Sequence, residues 1–307
     1  MSKSFVIRTI CRAAVQGAAC FTLALALFPS AVGSAQDAET SAETDAKSEP
    51  VSDVAAPAYP LAVAVDDATI YAVDLDLPGV WKIGEKTELF ARGSNLLRKP
   101  MNRPRCVAID PRGGIFVGDS ATREVYRIES ADAEPEPLTA GYIGIPMAIC
   151  LDADGKTMYV GDAEKRATFK LPIEGGKPEL VARVNARGLA FDEDGNLWAV
   201  TPDADAVVKI DVKTGDVTKV ITDRPYQYPN GLTWSGGEGF VTDGYGKAIW
   251  KFTADGKTEK WHEGEPLIGP VGITATKDSI YVADPKQKQI YQFDRKTKKA
   301  TERMERE

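Results

Sequence analysis

Residues 228–252 read YPNGLTWSGGEGFVTDGYGKAIWKF, three short apolar runs separated by glycine-rich turns. The first run contains Leu232 and Trp234, the second contains Phe240 and Val241, and the third begins near Ile249. Glycine and Asp supply the backbone conformations that tight turns require. Short apolar runs bounded by such residues predict β-strands, so this stretch predicts three consecutive antiparallel strands.

Five further copies of this pattern follow one another along the chain. Each copy has an aromatic residue that opens its second predicted strand, and these markers recur every 39 to 45 residues: Tyr71, Phe116, Tyr159, Trp198, Phe240 and Tyr281. A weaker fourth strand follows the third, as at residues 87–90, 180–183 and 258–261. Four short strands repeating about every 40 residues are typical of a β-propeller blade. The sequence therefore predicts an all-β fold, a six-bladed β-propeller of four-stranded antiparallel blades.

The first 57 residues do not share this repeat. Lys3, Arg8 and Arg12 precede an apolar stretch at residues 13–28 and a run of small residues ending at Ala35, which predicts a signal peptide over 1–35. An uncleaved anchor is the alternative, because the stretch approaches the roughly 20 residues that span a bilayer. Residues 36–57 are acidic and poor in aromatic residues, which predicts a disordered linker. The propeller is then expected over 58–307.

The charge balance limits the partners of the chain. After residue 35 it has 35 Lys and Arg against 45 Asp and Glu, a formal charge of −10. Because non-specific nucleic-acid binding depends on neutralising phosphates, this balance argues against it. We expect a secreted or periplasmic monomer with no membrane contact beyond the signal peptide.

The repeat motifs resemble those of known propeller families. The pattern Pro-x-Gly-Ile/Leu-Ala-x-Asp, then Gly-x-Ile/Leu-Tyr-Val-x-Asp, then Ile-Tyr-x-Phe is similar both to NHL-repeat propellers and to senescence-marker/gluconolactonase/luciferin-regenerating-enzyme-like propellers, from about Tyr59 to Glu302. The fold hosts hydrolases, binding modules and scaffolds alike, so the resemblance does not decide an activity. In the lactonases of the second family, Glu, Asn and Asp ligands hold a divalent cation at the channel mouth.

The resemblance leaves that metal site incomplete here. Asn230 matches the asparagine ligand, but the sixth copy reads Pro270-Val271-Gly272 where the family has Pro-Asp-Gly, and no Glu lies near Leu61. A calcium or zinc cofactor is therefore expected only if Asn230 binds it with other ligands. Without that cation, no cofactor is expected.

The innermost strands of a propeller begin around one mouth of the central channel. Aligning the six copies places these residues there: Leu61, Arg105, Met147, Arg187, Asn230 and Val271. Arginine suits bidentate binding of carboxylate or phosphate, so Arg105 and Arg187 with Asn230 predict an anion site. The alternative is that both arginines pair with neighbouring Asp or backbone carbonyls.

Four other residues near the mouth can each be interpreted in two ways. Tyr226 and Tyr228, beside Asp223 and Arg224, suit either ligand contact at the mouth or packing where two blades meet. His262, the only histidine, follows the last strand of the fifth copy with Glu263 and is a candidate general base; the alternative is an exposed residue without a catalytic role.

Three further features favour structural roles. The Asp residues that end most second strands (Asp74, Asp119, Asp162, Asp243, Asp284) suit hydrogen bonds to turn N–H groups, and the fourth copy lacks one, reading WAVT before Pro202. Residues 152–155 and 192–195 resemble the start of a calcium loop but suit hairpin turns. Cys106 and Cys150 replace small residues near the axis and are expected to be free thiols, with a bridge as the alternative.

Two functions follow from these observations. The first is an exported, ligand- or protein-binding propeller of the NHL type that recognises an anionic ligand or an acidic peptide end at the channel mouth. The second is a metal-dependent, gluconolactonase-like hydrolase, of lactonase or esterase type, with a degenerate site.

Overall fold

The computed structural model describes residues 56–131 and 133–304. The predicted signal peptide over 1–35 lies outside these residues, and so does the predicted linker over 36–57 except for its last two positions. Within the described part of the chain, no helix is long and apolar enough to cross a membrane.

In residues 56–131 and 133–304, twenty-four strands form six four-stranded sheets, and each sheet uses four strands that are consecutive in the sequence. Blade 1 contains β1 (Pro60–Asp66), β2 (Thr69–Asp74), β3 (Gly79–Ile83) and β4 (Thr87–Arg92); blade 2 contains β5 (Pro104–Ile109), β6 (Ile115–Asp119), β7 (Glu124–Ile128) and β8 (Glu136–Pro137). Blade 3 contains β9 (Pro146–Leu151), β10 (Thr157–Asp162), β11 (Ala167–Pro172) and β12 (Glu179–Ala182); blade 4 contains β13 (Gly188–Phe191), β14 (Leu197–Val200), β15 (Val207–Ile210) and β16 (Val217–Ile221). Blade 5 contains β17 (Pro229–Ser235), β18 (Glu238–Asp243), β19 (Ala248–Thr253) and β20 (Thr258–Glu263); blade 6 contains β21 (Ile273–Ala275), β22 (Ser279–Asp284), β23 (Gln289–Asp294) and β24 (Ala300–Glu302).

The aromatic markers lie where the repeat places them. Each of the six belongs to the second strand of its blade, between two antiparallel neighbours; Tyr71, for example, pairs with Ala64 of β1 and Lys82 of β3. The predicted six-bladed β-propeller of four-stranded antiparallel blades is therefore confirmed.

The hydrophobic core is divided among the six blade junctions. Between blades 4 and 5, Trp198 stacks on Trp234 with ring centroids 4.8 Å apart, and Phe252 packs against both. The junction between blades 6 and 1 closes the ring, with Val63 from β1 and Tyr281 from β22 in one buried cluster. Because each cluster takes side chains from two blades, no blade buries its apolar faces without its neighbours.

Small residues near the axis let adjacent innermost strands approach closely. A Cβ added to Gly188 would lie 2.4 Å from the backbone N of Leu232, and one added to Gly272 would lie 2.6 Å from the Cα of Ala62. Real Cβ atoms do not approach backbone atoms this closely, so a larger residue would push the strands apart. The predicted column of small residues therefore reflects crowding around the channel.

A buried aspartate ends the second strand of five blades and holds the connection that leads into the same blade. Asp119 accepts hydrogen bonds from the backbone N–H groups of Asn102 at 3.1 Å and Arg103 at 2.9 Å, and from that of Ala121 in the following turn at 2.9 Å. Asp74, Asp162, Asp243 and Asp284 make the equivalent bonds. We call these residues the clamp aspartates, and their structural interpretation is confirmed.

Blade 4 lacks this clamp. Thr201 occupies the position, donates to the carbonyl oxygen of Asp205 at 2.7 Å and accepts from the N–H of Asp203 at 3.1 Å, so its bonds stay within its own turn. Among the described residues, the connection before β13 makes no hydrogen bond to Thr201, and the Oδ1 atom of Asn185 in that connection is buried without a hydrogen-bond partner. The fourth repeat, which lacks the Asp in its sequence, therefore also lacks the hydrogen bonds that join the turn to the connection in the other blades.

The hairpin interpretation of the two Asp-Gly turns is also confirmed. Asp152 accepts hydrogen bonds from the N–H groups of Lys156 and Thr157, both at 3.0 Å. Asp192 accepts from the N–H of Asn196 at 2.8 Å and from the indole N–H of Trp198 at 2.8 Å. These carboxylates are used by the hairpins that join the first two strands of blades 3 and 4.

Candidate functional site

A cavity of about 560 Å³ opens at the end of the channel where the innermost strands begin. All six residues aligned from the repeat line it: Leu61, Arg105, Met147, Arg187, Asn230 and Val271. Antiparallel pairing puts the start of each first strand beside the end of the second, so the clamp aspartates lie at the same end as the cavity. We call this end the mouth face.

Arg105 contributes a half-buried guanidinium to the cavity. Its Nε donates to the hydroxyl of Ser120 at 3.1 Å, and that hydroxyl donates to the carbonyl oxygen of Arg103 at 3.2 Å. Burial lowers the pKa of Arg105 from its ordinary value, and the positive charges of Arg103 and Arg187 lower it further. Arginine nevertheless stays protonated in proteins, so the site keeps a cation whose surroundings leave it under-solvated.

Arg187 contributes the second guanidinium from the connection that blade 4 does not clamp. Its backbone N–H donates to the carbonyl oxygen of Val200 at 2.8 Å, which fixes the start of β13. Within residues 56–131 and 133–304, neither Arg105 nor Arg187 forms an ion pair with Asp or Glu. In the same residues, neither guanidinium donates to a backbone carbonyl, and Arg105 is held by the Ser120 hydroxyl instead.

Asn230 and Tyr228 form the blade 5 side of the cavity. The Nδ2 of Asn230 donates to the carbonyl oxygen of Tyr228 at 3.2 Å, which leaves its Oδ1 for other donors. The Tyr228 ring is 45% exposed and stacks on Tyr245 with centroids 4.7 Å apart. The ammonium of Lys286 lies 5.7 Å from the centre of the Tyr245 ring. The mouth is thus bordered by an exposed aromatic pair beside a cation.

Tyr245 was not among the residues predicted for the site. It lies in the β18–β19 turn, GYGK, where no packing requirement of the fold calls for an aromatic residue. An aromatic side chain between two glycines in a surface turn is the signal that could have identified it.

Tyr226 lies in the core rather than in the cavity. It is buried at the junction of blades 4 and 5, with its ring centre 5.5 Å from that of Trp250 and its hydroxyl 3.5 Å from the Oγ1 of Thr258. Burial raises the pKa of Tyr226 to about 12. Tyr226 therefore packs where two blades meet, whereas Tyr228 lines the cavity at the mouth.

His262 and Glu263 are placed differently from the expectation. Both belong to β20, the outermost strand of blade 5, and not to the connection after it. His262 pairs with Ile249 of β19, its Nε2 lies 2.9 Å from the carbonyl oxygen of Glu265, and its ring packs on Phe293. Three strand spacings, about 14 Å, separate β20 from the innermost strand. Neither residue lines the cavity, so the structure does not bring the candidate base to Arg105 and Arg187.

The cavity does not fit a bound divalent metal. The six ring positions offer one oxygen ligand, the Oδ1 of Asn230, together with two guanidinium groups and three apolar side chains. Calcium takes six to eight oxygen ligands, and zinc sites use several His, Cys or carboxylate ligands. Among the described residues, no group of three His, Cys, Asp or Glu side chains is arranged to hold a metal.

Both cysteines of the propeller are free, as expected. Cys106 is buried beneath the cavity, where its thiol lies 3.6 Å from the carbonyl oxygen of Pro146. Burial raises the pKa of the Cys106 thiol to about 12. Since the thiolate is the nucleophilic form, Cys106 is a packing residue here.

One protein-family model matches the chain. Its description is SMP-30/Gluconolactonase/LRE-like region, and the match covers residues 31–224. That range includes Arg105 and Arg187 but ends before Asn230 and blade 5. Among proteins of curated function, none matches the sequence.

Solved structures with different roles share the architecture. A gluconolactonase from Xanthomonas campestris is 17% identical with a TM-score of 0.62, covering 75% of this chain and 84% of that one. A virginiamycin B lyase from Staphylococcus aureus is 15% identical with a TM-score of 0.61, covering 80% and 84%. A chain of a nidogen/laminin complex is 18% identical with a TM-score of 0.63, covering 79% and 90%. At these identities the similarity shows the fold alone, and the fold occurs in a gluconolactonase, a lyase and a protein complex.

Proposed function

The chain belongs to the SMP-30/gluconolactonase/LRE-like family, whose model matches more than half of it, and from this premise we propose that it is an exported binding propeller for an anionic ligand. The ligand is a small carboxylate or phosphate, or the acidic end of a peptide, held at the channel mouth. The observation that carries the proposal is the pair Arg105 and Arg187, which share one cavity without a carboxylate partner in the described chain.

The physical case rests on the cost of leaving two cations close together. Each guanidinium is half-buried, and the charge of Arg187 lowers the pKa of Arg105, so the two repel each other across the cavity. An anion between them would remove that repulsion and accept directed hydrogen bonds from both planar groups. Leu61, Met147 and Val271 supply an apolar wall beside the two guanidinium groups, which lowers the local dielectric constant and strengthens such a contact.

Thermal shifts with inorganic phosphate and citrate, at constant ionic strength, test the proposal. Ligand at ten times its dissociation constant stabilises the folded state by about 1.4 kcal/mol, which is a melting shift of about 3 to 5 °C for a domain of this size. We expect the shift to vanish in Arg105→Leu/Arg187→Leu and to persist in Arg183→Leu, an exposed arginine four residues from Arg187 that does not line the cavity. Undiminished shifts in the double variant would overturn the proposal.

Lactone hydrolysis is the second candidate, favoured by the family match and by Asn230 in the cavity wall. The residues present do not fit a resident metal, so a hydrolase would need a different arrangement of its site. Calcium or zinc that raises the melting temperature and supports hydrolysis of a sugar lactone, with both effects lost in Asn230→Ala, would favour this candidate over the binding protein.

Export to the periplasm or the medium, and a monomeric state, are part of the proposal. The basic, apolar and small-residue regions of 1–35 support export. Mass spectrometry of the mature protein tests cleavage after Ala35, and light scattering tests the monomer. An intact N-terminus in the membrane fraction would contradict cleavage and release of the mature protein.

A further inference from the structure

We propose that the mouth face docks on the surface of an anionic lipid bilayer, through the connection between blades 1 and 2 and the exposed tyrosines of the rim. This goes beyond a small ligand in the cavity and does not depend on it. The connection comprises residues 93–103, here called the leucine loop, and it leads directly into β5, which carries Arg105.

The leucine loop presents two large apolar side chains to solvent. Leu96 is 66% exposed and Leu97 is 87% exposed, the two highest values among the large hydrophobic residues that are exposed in the described chain. The next two residues, Arg98 and Lys99, are also exposed, and neither forms an ion pair with another described residue. Apolar side chains at a tip, followed at once by cations, match the two layers of a bilayer surface, which are acyl chains below anionic headgroups.

The loop is held in this shape by its own hydrogen bonds. The Nδ2 of Asn102 donates to the carbonyl oxygen of Ser94 at 2.7 Å and to that of Leu96 at 3.3 Å, while the Ser94 hydroxyl accepts from the N–H of Leu96 at 3.1 Å. The clamp aspartate Asp119 fixes the end of the loop through the N–H of Asn102 at 3.1 Å. These hydrogen bonds hold the leucine loop in a conformation that exposes both leucines. Docking would therefore require little additional ordering of the loop.

The remaining exposed aromatics of the rim extend the surface around the mouth. Tyr228 and Tyr245 lie beside the start of β17 and the end of β18, whereas the Tyr142 ring lies beside Lys177 of the β11–β12 connection. Four of the seven large hydrophobic residues that are exposed among the described residues therefore lie on the mouth face, and Leu180 and Val217 lie on outer strands. Tyrosine suits a membrane interface because its ring is apolar and its hydroxyl remains hydrated.

Charge on the connections favours the same face. The connections at the mouth carry twelve Lys and Arg against six Asp and Glu, whereas the described connections at the opposite end carry eleven against fifteen. The clamp aspartates also lie at the mouth, but they are buried and their charge is shared among backbone N–H donors. The strands are about 20 Å long, and the Debye length is about 8 Å at physiological ionic strength, so the acidic far end is screened from a surface at the mouth.

A bilayer fits these features better than a protein partner does. The exposed apolar groups are spread around a rim from blade 1 to blade 5 and not gathered into a groove, and the two leucines project from one loop. A flat, laterally uniform partner can meet all of them at once. The acidic net charge of the whole chain does not bear on this local surface, where cations predominate.

Vesicle sedimentation tests the proposal with the full mature chain. Vesicles of phosphatidylcholine with about one-third phosphatidylglycerol should bind the protein at about 0.1 M salt, while pure phosphatidylcholine should not, and about 0.5 M salt should release it. Leu96→Ser/Leu97→Ser should weaken binding at least about tenfold. The matched control, Leu180→Ser/Val217→Ser, removes two exposed apolar residues elsewhere and should bind like the parent protein.

A charge series separates the bilayer from an acidic protein partner. Arg98→Gln/Lys99→Gln should weaken binding by roughly fivefold for each charge removed, whereas Lys296→Gln/Lys299→Gln on the opposite end should not. No binding to either vesicle, or vesicle binding that survives loss of both leucines, would overturn the proposal. Polyglutamate binding in solution that Leu96→Ser/Leu97→Ser weakens as much as vesicle binding would also overturn it, in favour of an acidic protein partner. Arg105→Leu/Arg187→Leu should abolish phosphate binding, while vesicle binding should still depend on Leu96 and Leu97, so the two proposals fail separately.

Discussion

Replacing the clamp aspartate Asp119 by alanine should destabilise the propeller strongly, because one side chain ties a turn to a connection. The carboxylate accepts from the backbone N–H groups of Asn102, Arg103 and Ala121 at 2.9 to 3.1 Å, and from the Thr122 hydroxyl at 2.9 Å. Hydrogen bonds to a charged acceptor contribute about 1.5 to 3 kcal/mol each when buried. These bonds are partly accessible to water, so we assign about 1 kcal/mol to each and expect a loss of about 4 kcal/mol.

For a domain of roughly 250 residues this loss corresponds to a fall in melting temperature of about 8 to 16 °C. Blade 4 provides an internal control, since Thr201 holds the equivalent position and makes two neutral hydrogen bonds inside its own turn. Thr201→Ala should therefore cost only about 1 to 2 kcal/mol. Asp119→Asn keeps the shape of the side chain and one acceptor oxygen, so its loss of stability should lie between those of Asp119→Ala and Thr201→Ala.

Differential scanning calorimetry at neutral pH measures all three variants, and amide hydrogen exchange locates the effect. Exchange should rise first in the leucine loop, whose end Asp119 holds. A fall in melting temperature for Asp119→Ala that is no larger than that for Thr201→Ala would refute the reasoning, because it would mean that water replaces the carboxylate without cost.

Three further predictions concern the axis, an ion cluster and a thiol. Gly272→Ala should lower the free energy of unfolding by about 1 to 3 kcal/mol, because the added Cβ overpacks the contact between blades 6 and 1. Gly84→Ala should leave it nearly unchanged in urea unfolding, since an added Cβ there meets open space. Equal losses in the two variants would contradict crowding at the axis. Burial raises the pKa of Asp110, but hydrogen bonds from Arg112 and Arg127 outweigh burial and leave the pKa below its ordinary value of 3.8. The stability that Asp110 contributes is therefore complete above about pH 4 and declines as the pH falls further. In pH-dependent unfolding, Asp110→Asn should lose less stability than the parent protein on acidification, and an equal loss in both proteins would contradict this. The Cys106 thiol has a raised pKa of about 12, so in folded protein without residues 1–35 it should resist a thiol reagent at pH 8 and react only after unfolding. Rapid reaction of Cys106 in the folded protein would contradict its burial.

Much of the fold could be predicted because its period is written in the sequence. The aromatic markers pack in the second strands, and the missing Asp of the fourth copy already indicated the exception at Thr201. The ring of mouth residues followed from aligning the copies, since Arg105, Arg187 and Asn230 occupy one position in three blades.

The positions that the sequence could not decide lie in segments where no period applies. Tyr226 and Tyr228 are two residues apart in a connection, and without strand alternation the sequence does not say that one enters the core and the other the mouth. His262 was expected after a strand, but a register shift between Ile249 and Trp250 lets β20 continue to Glu263. Such a bulge depends on how β19 and β20 pair, which no local pattern reports.

Within the described residues, the ring closes without exchange of a strand between its first and last blades. Each sheet uses four consecutive strands, and blades 6 and 1 meet through packed side chains that include Val63, Tyr281 and Met304. The two ends of the propeller therefore meet at an ordinary blade junction. The chain can in principle be cut at any connection between blades and rejoined at this seam, and the same six sheets would form. Circular permutants then offer a way to ask which junction assembles last.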